Sequence, residues 1–240
     1  MKNVLITGAD RGLGLSLCKE YLNRGWRVFA GKYMEDYRLL EDLRETDSNL
    51  HIFYLDMGKE DSMDETLTKV KEVTSSMDMF ISNAALMGMV KCNLYDPPMD
   101  LEAPWNSFRV NALGPMLLTE KLLPLLEQGS MKRLCYVSSE VSCINLMKNR
   151  SDGPFPYPMS KAALNMGVRM MHNNLYGQGY TFRLFHPGWM KFRNQDGSLT
   201  ETALYDPDDI GKTAALYFDQ DLKDEHRLVM VDYNGYEWPF

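Results

Sequence analysis

The chain has 240 residues, enough to bury a sizeable core within one α/β domain. Its 45% hydrophobic and 25% charged residues fit an ordinary globular protein, and the formal net charge of −7 speaks against nucleic acid or an anionic membrane surface as partners. No apolar run is long enough to span a bilayer, and the first residues enter a strand with no leader pattern, so the cytoplasm is the expected compartment.

Residues 2–7 read as a strand whose apolar run, Val4 to Ile6, ends in a glycine-rich turn. The turn is Thr7-Gly8-Ala9-Asp10-Arg11-Gly12-Leu13-Gly14, and a helical pattern over 12–24 follows it. Gly8 permits the tight turn, Gly12 lets backbone approach a pyrophosphate, and Gly14 lets helix and sheet pack closely. The free amides and positive end of the helix suit a phosphate. Further strands are expected at 27–31, 50–55, 78–82, 132–138, 180–186 and 227–232, and helices at 35–45, 60–76, 101–127, 157–177 and 207–219. This alternation implies a parallel sheet with helices on both faces. With right-handed crossovers it gives a Rossmann-like, doubly wound sheet of about seven strands in three α/β/α layers. One domain, 1–240, is expected, with ligands in the crevice outside the carboxyl ends of the strands. Two polar segments, 142–156 and 187–206, break the alternation beside that crevice, as substrate walls or as plain surface connections.

The last long helix opens with Tyr157-Pro158-Met159-Ser160-Lys161. One helical turn separates the phenol from the ammonium, so both share a face. The positive charge is expected to draw the phenol pKa down toward neutrality and make Tyr157 a proton donor for chemistry at oxygen. Pro158 falls in the first turn, where a missing amide costs little. Cys18, Cys92, Cys135 and Cys143 form no Cys-x-x-Cys pair and no metal grouping with His51, His172, His186 or His226, so no metal is expected. Cys18 and Cys135 lie in apolar patterns as small core residues, and Cys143 is read as packing. Asn149-Arg150-Ser151 matches a glycosylation sequon that has no meaning in the cytoplasm. His186 precedes a Pro-Gly turn, as a hydrogen-bonded structural histidine rather than a base.

Taken in order, these motifs resemble the short-chain dehydrogenase/reductase family of the single-domain kind. The glycine turn resembles its cofactor turn, and Asp56-Met57 its aspartate segment beside the adenine. Ser82-Asn83-Ala84-Ala85 resembles its Asn-Asn-Ala-Gly motif, with Ser82 and Ala85 as departures. Asn111, Ser139 in Val137-Ser138-Ser139, Tyr157 and Lys161 match its active-site set, and Pro187-Gly188-Trp189-Met190 its turn after the sixth strand. The runs around Tyr157, Phe185-His186-Pro187-Gly188-Trp189 and the C-terminal Asp232 to Phe240 look similar to carbonyl reductases of the sniffer and C-factor type.

The resemblance implies hydride transfer to a carbonyl carbon with Tyr157 as proton donor, Lys161 tuning it and meeting the nicotinamide ribose. Ser139 would position the substrate oxygen, and Asn111 would hold a water linking Lys161 to solvent. The family places its serine second in that pair, so the resemblance implies Ser139, with Ser138 as the alternative; the two point to opposite faces of an extended strand, so only one can reach the site. The cofactor contacts implied are Thr7, Gly8, Asp10, Arg11, Gly12, Leu13, Gly14, Lys32, Asp56, Met57, Asn83, Ala84, Ala85, Tyr157, Lys161, Pro187, Gly188, Trp189 and Met190. NAD-preferring relatives carry an acid where this chain has Lys32; with Arg11 it makes two cations, so NADP(H) is expected ahead of NAD(H). Phe192 stands where the family often has a threonine that bonds the carboxamide, and the interval from Ser139 to Tyr157 is long.

The expected function is NADPH-dependent reduction of an aldehyde or ketone, with an apolar small-molecule substrate. The alternative is an NADP(H)-binding regulatory or scaffold protein with little turnover. A sugar-nucleotide epimerase of the extended type is disfavoured by the turn spacing and the short C-terminal region. A homodimer or homotetramer through Leu101–Glu127 and Tyr157–Gly177 is expected, and the 18 methionines carry no functional meaning of their own.

Overall fold

Side chains in the first strand alternate between two cores. Val4 and Ile6 pack with one cluster of buried residues and Leu5 with the other. The same alternation repeats at Met79, Phe80 and Ile81 and at Leu134, Cys135 and Tyr136, as it must in strands buried on both faces. The computed structural model describes residues 1–87, 102–146 and 155–240. Cys92, the sequon and most of the segment before Tyr157 lie outside them.

The strands are β1 (Asn3–Thr7), β2 (Arg27–Lys32), β3 (Leu50–Tyr54), β4 (Met79–Ser82), β5 (Arg133–Val137), β6 (Thr181–His186), β7 (Met230–Asp232) and β8 (Glu237–Trp238). They form one eight-stranded sheet in the order β3-β2-β1-β4-β5-β6-β7-β8, parallel except for β8. Helices α1 (Gly12–Asn23), α2 (Leu39–Thr46) and α7 (Pro207–Asp219) contribute to one core; α3 (Glu60–Val73), α5 (Gly114–Leu126) and α6 (Pro156–Leu175) contribute to the other. The order reverses between β1 and β4, the switch point beside which ligands of such sheets bind.

Four elements depart from the sequence expectations. The helix expected over 101–127 is α4 (Glu102–Phe108) and α5 joined by a π-turn, Arg109–Leu113. Pro115 carries no N–H, so the ordinary bond from residue i+4 to the Asn111 carbonyl cannot form. α2 begins at Leu39 rather than near 35, because Asp10 Oδ1 accepts the Tyr33 and Met34 amides and holds that segment against the glycine turn. β7 is shorter than expected, and β8 is the additional, antiparallel strand.

Candidate active site

The turn after β1 is built as a cradle. Gly12 has φ +55°, a left-handed conformation that favours glycine, and a side chain there would point into open space. A Cβ on Gly14 would stand 2.1 Å from the Gly8 carbonyl oxygen, so the helix start can lie this close only as glycine. No side chain caps α1, which leaves its first amides available. Thr7 is fully buried; its hydroxyl accepts the Asn83 and Ala84 amides at 3.1 and 3.0 Å, while Asn83 Nδ2 donates to the Thr7 and Gly8 carbonyls. The turns after β1 and β4 are thereby tied together across the switch point.

A cleft of about 350 Å³ opens over this cradle. Of the residues expected at a dinucleotide, Gly8, Asp10, Arg11, Gly12, Asp56, Met57, Asn83, Ala84, Ala85, Tyr157, Lys161, Pro187 and Met190 line it. Thr7, Leu13, Gly14, Lys32, Gly188 and Trp189 do not; the first three shape the cradle from behind. Asp10 is spent on the Tyr33 and Met34 amides, and Asp56 Oδ1 accepts the Gly58 amide at 2.8 Å.

The two cations expected beside the adenosine ribose differ in kind. Lys32 is paired: its Nζ lies 2.7 Å from Glu41 Oε1 on α2. Burial raises the Glu41 pKa, but the Lys32 hydrogen bond and charge outweigh it and hold the carboxyl below its usual range. The expectation of cations without an acid is therefore corrected, since Glu41 reaches back from the following helix. Arg11 lines the cleft, donates to the Tyr37 hydroxyl at 3.1 Å, and lies between the Tyr37 and Phe192 rings at 5.2 and 5.5 Å.

At the other end of the cleft, Ser138 and Ser139 part company as strand geometry requires. Ser138 is buried and its hydroxyl donates to Asn165 Oδ1 at 2.6 Å. Ser139 stands at the start of a 3-10 turn, Glu140–Ser142, where its Oγ accepts the Val141 amide at 3.4 Å; of the two serines it is Ser138 that lines the cleft. Lys161 is 2% exposed, donates to the Val137 carbonyl at 2.8 Å, and lies 5.7 Å from the centre of the Tyr157 ring. Asn111 does not join this group. Its Oδ1 accepts the Leu86 amide, and its Nδ2 donates to the Leu86 carbonyl and to Ser160 Oγ.

The expected fall of the phenol pKa is reversed. Burial pushes Tyr157 up to about 12, against the opposing pull of the Ser139 hydroxyl. Burial also pushes Lys161 down to about 8. Desolvation penalises phenolate and ammonium alike, and an amine that sheds its proton has little charge with which to stabilise a phenolate.

The segment after β6 folds back over the cleft. Met190 bridges to Tyr205, Lys191 N donates to the Tyr205 carbonyl at 2.8 Å, and Arg193 Nη2 lies 2.9 Å from Asp208 at the start of α7. Phe192 thus reaches Arg11 from the opposite side of the cleft. The features that sequence reading missed are Glu41, Tyr37 and the π-turn. Pro115 alone signalled the last of them.

A family model described as short chain dehydrogenase matches residues 2–202. The C-signal protein of Myxococcus xanthus is 36% identical over 167 residues, covering 70% of this chain and 95% of that protein. An uncharacterized oxidoreductase of Schizosaccharomyces pombe is 30% identical over 235 residues, covering 95% and 90%. The carbonyl reductase Sniffer of D. melanogaster superposes with TM-score 0.85 at 25% identity, covering all of both chains. An NADPH-bound carbonyl reductase from chicken fatty liver has the same fold, with TM-score 0.85 at 24% identity over 100% and 99% of the two chains.

Proposed function

The chain belongs to the short chain dehydrogenase family of NAD(P)-dependent oxidoreductases, and we propose that it reduces a small apolar aldehyde or ketone with NADPH. The observation that carries this is Tyr157, with the buried Lys161 at 5.7 Å from the centre of its ring, at one end of the cleft whose other end is the glycine cradle. The open face of Gly12 and the uncapped start of α1 fit a pyrophosphate, and Arg11 fits a 2′-phosphate. NADPH, when bound, supplies the hydride. Ser139 orients the carbonyl oxygen and Tyr157 gives its phenolic proton to that oxygen as charge develops there. Lys161 holds the ribose end of the site and favours the phenolate that remains. Each such donor typically contributes about 10²–10³ in rate.

The experiment is NADPH oxidation over a panel of aldehydes, diketones and quinones, with NADH in parallel and Tyr157→Phe beside the parent. Turnover that vanishes in Tyr157→Phe supports the reading; turnover that survives the substitution refutes the mechanism. A second reading, an NADP(H)-binding protein with little turnover, is favoured by Phe192, whose ring packs on Arg11 where a carboxamide-bonding threonine was expected. Tight NADPH binding with no turnover across the panel would favour it. Assembly into a homodimer or homotetramer belongs to the same proposal. It would use the apolar groove of about 580 Å³ that Leu113, Met116, Leu117, Leu123, Met171 and Leu175 help to line on α5, α6 and the π-turn, and light scattering tests it.

A further inference from the structure

We propose that His186 is a positioning residue whose imidazole Nδ1 ties the Ser139 segment to the Pro187-Gly188 turn. The inference rests on the reductase reading above, which places those two segments on either side of the reacting atoms. The ladder between β5 and β6 ends at the pair Val137 and Phe185, with one more bond from the Ser138 amide to the Phe185 carbonyl. Beyond that point the backbones part to open the crevice, and the His186 ring supplies the next rung. Its Nδ1 accepts the Glu140 amide at 3.2 Å and the Gly188 amide at 3.4 Å. A single lone pair thus serves the residue after Ser139 and the glycine of the turn below.

A ring nitrogen that accepts hydrogen bonds carries no proton, so the neutral imidazole holds its proton on Nε2. Nε2 stands 3.9 Å from the Glu140 carboxylate. The C-terminal hairpin fixes the ring: Trp238 meets it edge-on at 5.2 Å, Tyr233 lies at 6.5 Å, and Trp238 Nε1 donates to Asp232 Oδ2 at 3.0 Å. The titratable groups facing the imidazole are Glu140, Asp232 and Tyr233. Burial lowers the His186 pKa and outweighs the two carboxylates, which raise it. The lone pair therefore stays available at neutral pH. Protonation puts an N–H against two N–H donors and releases both segments together, displacing Ser139 and the turn from their common geometry.

Two measurements test this. In amide spectra of the cofactor-free protein, the Glu140 and Gly188 resonances should move together, tracking the His186 ring, at a pH below the ordinary histidine range. An amide that ignores the ring overturns the proposal, whatever the protein's activity. In kinetics, His186→Leu should lower kcat about 10²-fold, the scale of a 1 Å misplacement, with less effect on KM. His186→Asn sets its Oδ1 where Nδ1 stood; it should recover most of that loss and lack the acid limb of the parent's kcat profile. An Asn variant no better than Leu, or one that keeps the acid limb, overturns the proposal. A parent without turnover refutes the reductase reading instead, and the amide titration still decides the role of His186.

Discussion

Replacing Glu41 with Gln removes the counterion of Lys32 while keeping the side chain's size. The pair is close, 2.7 Å, and partly solvated, with side chains 14% and 28% exposed. Two unit charges about 4 Å apart attract by about 4 kcal/mol at an effective dielectric near 20. Solvent and side-chain entropy cut the net worth of such a pair to about 0.2–1 kcal/mol. A 2′-phosphate approaching Lys32 must compete with Glu41 for the ammonium and is also repelled by it. Removing the carboxylate lifts both costs, so NADPH should gain about 1.4 kcal/mol, a tenfold tighter Kd. NADH has no 2′-phosphate, and its Kd should hold. Calorimetric titration of both cofactors against parent and variant reads the difference. The gain should shrink near 1 M salt, where the screening length is about 3 Å. Equal shifts for NADPH and NADH, or no shift for NADPH, would refute the reasoning and leave Arg11 as the phosphate cation.

Three further outcomes follow from the geometry. Ser139→Ala should lose about 10²–10³ in kcat with stability kept. Ser138→Ala breaks the buried bond to Asn165 and should cost about 1–3 kcal/mol of stability with kcat little changed; the reverse pattern in denaturation and kinetics would exchange the two serines' roles. Lys161→Met should stabilise the cofactor-free protein by roughly 3 kcal/mol at pH 7, since a folded-state pKa near 8 lies below the unfolded value. Between those two values the unfolded chain binds the extra proton, so the parent gains stability as pH rises and the advantage of Met should fade toward pH 10.5. Arg183→Ala removes a fully buried guanidinium that Glu225 grips with both oxygens at 2.7 Å, and should cost about 3–5 kcal/mol by urea denaturation.

What the sequence disclosed depended on range. The glycine turn and the strands around Val4 to Ile6 are local patterns of period 2 and fixed spacing, and the fold and family followed from them. The π-turn at Asn111 hid inside a continuous apolar stretch, with Pro115 as its only mark. Glu41 reaches Lys32 only because α2 packs back against β3 and α1, a tertiary fact with no local signature. Arg133 and Arg183 lie in β5 and β6, and both guanidiniums are buried against the residues after α7, including the Gln220 carbonyl, a pairing that no local pattern announces. The residues proposed for the site beside Tyr157 were picked by motif, but the direction of the phenol's shift was misjudged because spacing reports a charge partner and says nothing of burial.

That misjudgement bears on the direction of the chemistry. Burial raises Tyr157 and lowers Lys161 through one cause, the cost of charge in a dry site. Near pH 8 the cleft therefore holds a fully protonated phenol beside an amine at its midpoint. Such a site is ready to give a proton to a developing alkoxide. Taking a proton from an alcohol needs the phenolate, and the charge that could stabilise it on Lys161 is being lost as pH rises. On the proposed mechanism, reduction should hold around neutral pH, above the acid limb set by His186, and decline above about pH 8 as Lys161 discharges. Oxidation should be confined to a narrow alkaline window. A reductive rate that climbs through pH 9 would show that the ammonium stays charged during turnover, and that groups entering with the ligands, rather than the buried walls of the cleft, set its proton affinity.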